Sequence, residues 1–314
     1  MLNSNVLSNK KVKNIKIKNT NMTITRPANI VLNIIMILVC IACVYPFLLV
    51  LGVSFTDNHA VELHGFHMIP QKFSLGAYAF AFKEPEVILR AYGVTIFVTI
   101  FGSLLSLIII TLYAYVISRK DFKYRNIFSF LVFFTMLFNG GLVPWYMVYS
   151  KVLGIKDTIF ALILPYLVTP LYVLIMRTFF VTTIPEEIIE SAKIDGAGQF
   201  RTFYQIVLPL AKPSLATIGL FDVLQYWNDW YSPLLFIENT KLFNLQYLMY
   251  KLNQNILFLA TNQNATNYVT QSQQLPTQTA TMATAIIVIG PIILAYPFFQ
   301  QYFVEGLTVG AVKG

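Results

Sequence analysis

The sequence predicts an all-α integral membrane protein with six transmembrane helices. Of its 314 residues, 56% are hydrophobic and only 11% are charged, which is typical of a polytopic membrane protein rather than a soluble domain. Six apolar stretches are each long enough to cross a bilayer, which takes about twenty helical residues. We place these spans near 30–55, 91–118, 127–149, 158–181, 214–237 and 282–304.

The chain begins with a basic segment followed by a long apolar run. Residues 1–29 hold six lysines and arginines and no acid, which predicts a disordered cytoplasmic tail. The run from Ile30 to Phe55 is too long for the core of a signal peptide, so we expect a retained first membrane helix and a permease domain over 30–314. Cys40 and Cys43 lie inside this run and are expected to be small buried hydrophobes.

The distribution of positive charge predicts the orientation of the six spans. The formal net charge of +8 could suggest a nucleic-acid partner, but the cations flank the apolar stretches and form no single patch. Segments on the side of the termini hold fourteen lysines and arginines, and the opposite segments hold six. The positive-inside rule therefore predicts that both termini are cytoplasmic, with outer segments at 56–89 and 239–281.

A polar segment at 183–213 separates two of the apolar spans and is predicted to form two short helices. Thr183 and Glu186 fit a capping box, and Asp195-Gly196 is expected to end the first helix at a glycine with positive φ. Leu208-Pro209 is expected to end the second helix. That helix has one predicted apolar face, formed by Phe200, Phe203, Tyr204 and Val207. An amphipathic segment resting on the lipid surface is the alternative interpretation.

This segment closely resembles the EAA loop of ABC importer permeases. The likeness is carried by Glu190-Ser191-Ala192 and Asp195-Gly196-Ala197, followed by Phe200, Ile206 and Leu208-Pro209, with Ser191 where the motif has alanine. Residues 138–166 and the ending from 296 to 314 are similar to carbohydrate permeases of the maltose-transporter superfamily. Within it, they most resemble the LplC/YtcP-type polysaccharide permeases.

The resemblance implies a type I ABC importer permease fold in a bacterial cell membrane. The loop would be a cytoplasmic coupling helix that docks into an ATP-binding subunit through Glu190, Ser191, Ala192, Asp195, Gly196, Ala197, Phe200 and Phe203. The implied partners are a sister permease, two ATP-binding subunits, an extracellular solute-binding protein and a saccharide. The chain itself would bind no cofactor, since ATP and Mg²⁺ would belong to the ATP-binding subunits.

The sequence contains none of the motifs that would make this chain an enzyme. No phosphate-binding G-x-x-x-x-G-K-[ST] loop is present, so the chain is not the ATPase. No nucleophile elbow or zinc-protease motif is present either. Energy from ATP would have to arrive through a partner docked on 183–213.

A polar, aromatic stripe in the fifth span is the candidate substrate pathway. Four polar or aromatic residues are spaced at i, i+3, i+4 and i+7, which would place them on one helix face: Asp222, Gln225, Tyr226 and Asp229. Asn228 and Trp230 lie beside them and could bind and stack on a sugar. Alternatively, these side chains only bond neighbouring helices, since intramembrane acids usually face a bundle interior.

Two other spans contain small residues that bear on packing. Asn139-Gly140-Gly141 precedes Pro144 and predicts a broken helix, which either lines a cavity or permits close packing. On the second span, Thr95, Thr99, Gly102 and Ser106 recur at helical spacing and predict a packing seam.

Two functions other than that of a saccharide importer subunit are compatible with the sequence. One is a stand-alone secondary transporter or channel that uses Asp222 and Asp229 as ion sites. The other is an ABC importer of a non-sugar solute. Because Arg177 is the only cation within the spans, a neutral or hydroxylated cargo is favoured. Charged sugars such as uronates are the alternative if the sister permease provides the cations.

Three histidines in the first outer segment invite a metal hypothesis. They are His59, His64 and His67. Only the last two have helical spacing, and no third close ligand completes a set, so solvent-exposed loop histidines and no metal site are expected.

Overall fold

A computed structural model describes residues 26–261, 278–293 and 297, and most of these residues are helical. The one β-type pairing among them is an isolated bridge between Thr56 and Phe73. The helices are α1 (Arg26–Ser54), α2 (Asn58–His64), α3 (Gly76–Ala81), α4 (Pro85–Ser118), α5 (Arg125–Leu137), α6 (Leu142–Val152), α7 (Phe160–Tyr166), α8 (Pro170–Thr183), α9 (Glu186–Ile194), α10 (Gln199–Leu210), α11 (Lys212–Trp227), α12 (Tyr231–Phe236), α13 (Leu245–Thr261) and α14 (Gln278–Ile293).

The first two predicted spans correspond to continuous helices and the next two to bent pairs. The fifth, 214–237, contains most of α11, a break and α12, whereas α10 lies in the predicted loop at 183–213. By length and composition, α1 and α4 could each cross a membrane without a break. The pairs α5–α6, α7–α8 and α10–α11 bend by 114°, 47° and 79°. The sixth predicted span begins within α14, but most of its remainder to 304 lies outside the described residues. The all-helical class is confirmed, while the count of six spans stays a prediction.

Residues 1–48 form a unit of their own, whose described part is the first portion of α1. Its side chains from 27 to 48 are exposed within the chain. The predicted burial of Cys40 and Cys43 is therefore wrong, because this unit offers no second described element to cover them.

The second unit, residues 49–314, is built around α4. This helix packs mainly on α11 and α8, and the shared core includes Ile110, Val173, Met176 and Ile218. The predicted seam of small residues on α4 is confirmed, because Thr95, Thr99 and Ser106 are all buried and Gly102 lies against Tyr226. Small side chains let the helix backbones approach closely.

The predicted break in the third span is confirmed between α5 and α6. Gly141 has a φ of +89°, and its N–H donates to Asn139 Oδ1 at 2.9 Å. Asn139 and Gly140 are both exposed here.

The segment at 56–89, which is predicted to be on the outer side, is partly helical. It contains α2 and α3, and Asn58 Oδ1 accepts hydrogen bonds from the N–H groups of Gln278 and Thr279 at the start of α14. The His67 ring contacts the backbone oxygen of His64 at 3.0 Å. Within the described ranges, no three His, Cys, Asp or Glu side chains are grouped closely enough to hold a metal ion.

Candidate functional site

The loop at 183–213 folds as two helices around a glycine turn, as predicted. The turn is a Schellman motif: Ala197 N–H donates to Ala192 O at 2.9 Å, and Gly196 N–H donates to Lys193 O at 3.0 Å. Gly196 has a φ of +77°, a conformation that only glycine adopts without strain. The turn thus fixes the angle between α9 and α10.

The predicted capping box at the start of α9 is wrong. Thr183 is the last residue of α8, and Pro185 is the N-cap of α9 without a side-chain hydrogen bond. Glu186 pairs instead with Lys120, which follows α4. This pairing with the Lys120 ammonium lowers the pKa of Glu186.

The predicted apolar face of α10 is also wrong, because the helix contains a π-turn at Phe203–Val207. The wider turn separates the four apolar residues. Phe203 packs on Tyr115 with ring centroids 4.9 Å apart, and Val207 is buried, whereas Phe200 and Tyr204 are 85% and 71% exposed.

Pro209 lies one residue before the end of α10, so the predicted end of this helix is confirmed to within one residue. It lies in the first turn of the short α-helical segment that follows the π-turn, where a missing N–H is tolerated. The helix continues to Leu210, and the chain then bends by 79° into α11.

Three large apolar side chains project from this loop and form what we call the loop surface: Ile194, Phe200 and Tyr204. Ile194 is 85% exposed, like Phe200. Large apolar side chains that are this exposed on one loop indicate an interaction site. Of the predicted coupling residues, Glu190, Ser191, Asp195 and Gly196 are exposed, Ala197 is half-buried, and Ala192 and Phe203 face inward. Ile194 was not among the predicted coupling residues, although its position just before the Asp195-Gly196 turn indicated that it could be exposed.

The predicted stripe in the fifth span does not form a single face. The helix α11 ends at Trp227, so Asp229 lies beyond it in a break that precedes α12. Asp229 Oδ1 accepts hydrogen bonds from the N–H groups of Tyr231 and Ser232, at 3.1 and 3.0 Å, and from the Tyr166 hydroxyl at 3.1 Å. Asp229 therefore caps α12.

The other inward members of the stripe are engaged within the bundle. Ser106 donates to Asp222 Oδ2 at 3.1 Å, and the Tyr226 hydroxyl donates to Ile163 O at 2.8 Å. Gln225 Oε1 accepts a long hydrogen bond from Thr169 Oγ1 at 3.4 Å. These contacts favour the packing interpretation for Asp222 and Tyr226, and their role in a substrate pathway stays a prediction.

Asn228 and Trp230 have a different setting, because they line a cavity of about 400 Å³ with residues of α13 and α14. The Trp230 ring stacks on Tyr250 with centroids 4.8 Å apart. Gln246 Nε2 donates to Asn228 Oδ1 at 3.1 Å. The remaining polar lining is Asn253 and Thr284. Among the described residues, no charged side chain lines this cavity.

Comparison with known proteins identifies the family. A model of the family described as "Binding-protein-dependent transport system inner membrane component" matches residues 122–309, more than half of the chain. The chain belongs to this family. The predicted resemblance to ABC importer permeases is confirmed, and such a permease is a transport subunit rather than an enzyme.

Curated relatives and a solved structure support the same assignment. The permease is 37% identical to the polygalacturonan/rhamnogalacturonan transport system permease protein YtcP of Bacillus subtilis, over 89% of this chain and 96% of that protein. It is also 37% identical to Protein LplC of Bacillus subtilis, over 86% and 90% of the two chains. A crystal structure of a bacterial ABC transporter involved in the import of the acidic polysaccharide alginate has a chain that is 27% identical, with a TM-score of 0.75, over 88% of this permease and 97% of that chain. These matches confirm the predicted subgroup and the permease fold.

Two ion pairs fasten the loop of the permease to the segment after α4. Lys193 at the end of α9 contacts Asp121 Oδ2 at 2.7 Å, and Lys120 pairs with Glu186 at the start of α9. The hydrogen bond from Lys193 lowers the pKa of Asp121 below its usual range. Both ends of α9 are thus attached to the same short segment.

Proposed function

We propose that this permease is the membrane-spanning subunit of an ATP-driven, binding-protein-dependent importer of oligo- or polysaccharides. It would act in the inner or plasma membrane of a bacterium, with six spans and both termini in the cytoplasm. Its partners would be a sister permease, two ATP-binding subunits that carry ATP and Mg²⁺, and an extracellular solute-binding protein. A saccharide cargo is supported by its similarity to a polygalacturonan/rhamnogalacturonan permease and to a transporter involved in alginate import.

The observation that carries this proposal is the continuous path from the loop surface to the polar cavity. A single residue, Ala211, separates α10 from α11, and the last residue of α11 directly precedes Asn228 at the cavity wall. Its sixteen residues span about 24 Å at a rise of about 1.5 Å per residue. A displacement of the loop by a docked ATP-binding subunit would therefore reach the cavity through one short helix.

The mechanism is a two-state coupling. Closure of the ATP-binding subunits would move α9 and α10 as a lever and open the cavity to the outer side, and hydrolysis would restore the inward state. The loop surface must then be bound differently in the two states, since a partner shifts an equilibrium only by its differential affinity.

The chemistry of the cavity supports a hydroxylated ligand. Amide and hydroxyl groups on Asn228, Gln246, Asn253 and Thr284 can exchange hydrogen bonds with sugar hydroxyls, and the Trp230–Tyr250 pair offers a flat face for a sugar ring. The alternative of an ion-coupled transporter is disfavoured, because Asp222 and Asp229 make contacts inside the bundle. A non-sugar neutral cargo is the remaining second candidate.

A crosslinking experiment tests the coupling role. Ala197→Cys is introduced after replacing Cys40 and Cys43 with serine, and the permease is co-expressed with its ATP-binding subunit, which carries a cysteine in its docking cleft. We expect a crosslink whose yield changes with nucleotide. Lys151→Cys on α6, in a predicted outer part of the chain, is the matched control and should give none. Failure of the Ala197→Cys crosslink in a membrane-inserted, assembled complex would overturn the proposal.

A second variant tests the lever itself. Gly196→Pro cannot adopt the positive φ of the turn, because the proline ring fixes φ near −65°. We expect a membrane-inserted permease whose complex hydrolyses ATP without moving cargo. Transport at the normal rate would show that the angle between α9 and α10 does not transmit motion.

A further inference from the structure

A second cavity, of about 520 Å³, lies where the ends of α4 and α8 meet the start of α9. Four cationic side chains line it and define what we call the basic cavity: Arg119, Lys120, Arg125 and Arg177. The carboxylates in its wall are Glu186, which is held by Lys120, and Glu187. Positive charge therefore exceeds negative charge around this space.

Two of these cations have no opposing charge within the described residues. Neither Arg125 nor Arg177 has a carboxylate within ion-pair distance there. The one hydrogen bond from the Arg177 side chain in that part of the chain is a long bond of 3.3 Å from Nε to Ile117 O. A guanidinium has five N–H donors, so most of the donor capacity of both arginines is free.

Two buried donors in the same wall also lack a hydrogen-bond acceptor. The Tyr115 side chain is only 7% exposed, and its hydroxyl has no partner in the described structure. The Arg119 Nε likewise has no hydrogen bond there, and its nearest carboxylate oxygen, on Asp121, is 3.6 Å away. Both atoms are almost inaccessible to solvent, so they do not contact the cavity directly, but donors without acceptors add to the positive polarity of its wall.

We propose that the basic cavity binds an anion through a phosphate group. A phosphate presents several acceptor oxygens to guanidinium groups, which bind it in a bidentate manner, and it would compensate both unpaired arginines. Its source would be either the headgroup of an anionic phospholipid or free phosphate. The cavity opens beside helix ends that the proposed topology places at the cytoplasmic face, where anionic headgroups lie. The anion site depends on the proposed function in one respect, which is the placement of these helix ends at the cytoplasmic face.

The site is placed to act on the coupling loop. Its wall combines the end of α4, the end of α8 and the first residues of α9, which Lys120 already holds through Glu186. A bound phosphate would join these three elements at the base of the loop. The charge of the surrounding lipid would then set how firmly the loop is held.

A labelling experiment tests the site without relying on transport. Ser118 lines the cavity, so Ser118→Cys is introduced into the full assembled transporter lacking Cys40 and Cys43, and its rate of reaction with a maleimide is measured. Three preparations are compared: phosphatidylcholine vesicles, the same vesicles with phosphatidylglycerol, and phosphatidylcholine vesicles with inorganic phosphate. We expect phosphatidylglycerol to slow labelling several-fold.

Variants establish where the protection arises. The double substitution Arg125→Gln/Arg177→Gln should abolish it, while Arg90→Gln should keep it, because Arg90 is an exposed arginine near the other end of α4. Protection by inorganic phosphate without added phosphatidylglycerol would assign the site to free phosphate. Absence of protection by either additive, or equal protection in the double variant, would overturn the proposal. Because the assay measures neither uptake nor ATP hydrolysis, a wrong cargo assignment would not affect it.

Discussion

Ser106 on α4 donates a hydrogen bond to the carboxylate of Asp222 on α11 across 3.1 Å, and both side chains are completely buried. This bond joins the two helices that share the largest interface of the bundle. The second oxygen of Asp222 has no hydrogen-bond partner within the described structure. The pair is therefore a polar connection between α4 and α11. An ion-binding site would need several ligands, and Ser106 is the one described residue that bonds to the Asp222 carboxylate.

Substitution of Asp222 separates a structural role from an ion-coupling role. Asp222→Asn keeps an acceptor for Ser106, so we expect uptake within about twofold of wild type and little change in unfolding temperature. Asp222→Leu leaves the Ser106 hydroxyl unpaired, which should lower the free energy of unfolding by about 1–3 kcal/mol. Thermal unfolding of the purified complex and uptake into vesicles measure the two effects. Loss of uptake in a stable Asp222→Asn variant would return Asp222 to the transport pathway.

Asp229 should behave as a helix cap. Asp229→Ala removes the acceptor of the Tyr231 and Ser232 N–H groups, and loss of such a cap costs about 1 kcal/mol of stability. Asp229→Asn retains an acceptor and should be close to wild type in thermal unfolding. If Asp229→Asn is as damaging to uptake as Asp229→Ala while both stay folded, the carboxylate charge itself is needed.

The comparison of Asp229 with Gly196 shows what the sequence can predict. The turn at Gly196 depends on local conformation, since only glycine adopts its φ without strain, so it was predicted. The break before Asp229 has no glycine or proline between Trp227 and Trp230 to mark it. It is stabilised by Tyr166, which lies 63 residues away, and long-range contacts of this kind are not visible in periodicity.

The same contrast explains the error on α10. Apolar spacing predicted one face, but the π-turn rotates Phe203 and Val207 onto α4 while Phe200 and Tyr204 remain outside. The cause is the tertiary contact of Phe203 with Tyr115, which a regular helix pattern does not encode. The cavity at Trp230 could not be predicted from the sequence either, because α13 and α14 supply most of its lining.

The loop surface should supply most of the binding energy for the ATP-binding subunit. Phe200→Ser and Tyr204→Ser remove exposed aromatic side chains, which are frequent hot spots that each cost more than about 1 kcal/mol when truncated. We expect each variant to weaken assembly roughly tenfold, which corresponds to about 1.4 kcal/mol. Titration of the ATP-binding subunit onto the purified permease measures this. Val152→Ser, an equally exposed apolar position on α6, is the control and should leave the affinity unchanged.

The ion pair between Asp121 and Lys193 predicts that attachment of α9 weakens in acid. The hydrogen bond from Lys193 lowers the pKa of Asp121 in the folded protein. The ion pair therefore stabilises the attachment of α9 fully above about pH 4, near the ordinary pKa of an aspartate. This stabilisation is lost as pH falls from about 4 through the lowered pKa. Because the Asp121 side chain is 45% exposed, the ion pair should contribute less than about 1 kcal/mol to the free energy that holds α9 in place.

Hydrogen exchange of the α9 amides measures this attachment locally. In wild type, the protection of the α9 amides relative to the rest of the chain should fall as pH is lowered below about 4. Asp121→Asn and Lys193→Gln should show lower protection at neutral pH and a shallower pH dependence than wild type, because only the Glu186–Lys120 pair at the start of α9 still titrates. Equal pH dependence in wild type and Asp121→Asn would show that another group holds α9.

The stacked pair of Trp230 and Tyr250 should determine recognition of cargo in the cavity. Trp230→Ala removes the flat face and should lower uptake several-fold at low saccharide concentration, because an aromatic stacking contact contributes about 0.5–1.5 kcal/mol. Trp230→Phe retains a ring and should recover most of the activity. Basal ATP hydrolysis should be unchanged in both variants, since the cavity is separated from the loop surface by the length of α11.

Charge selectivity provides the sharper test of the same cavity. Because its described lining is uncharged, a saccharide should be bound there through hydroxyl groups and ring faces. Asn253→Asp would introduce a negative charge beside Thr284, which should exclude acidic saccharides while neutral ones of equal length still pass. The measurement is competition between a neutral and an acidic oligosaccharide for uptake by each variant, with Asn253→Gln as the uncharged control. If Asn253→Asp leaves uptake of the acidic sugar untouched, the cargo does not pass through this cavity, and the path would have to be sought on the sister permease.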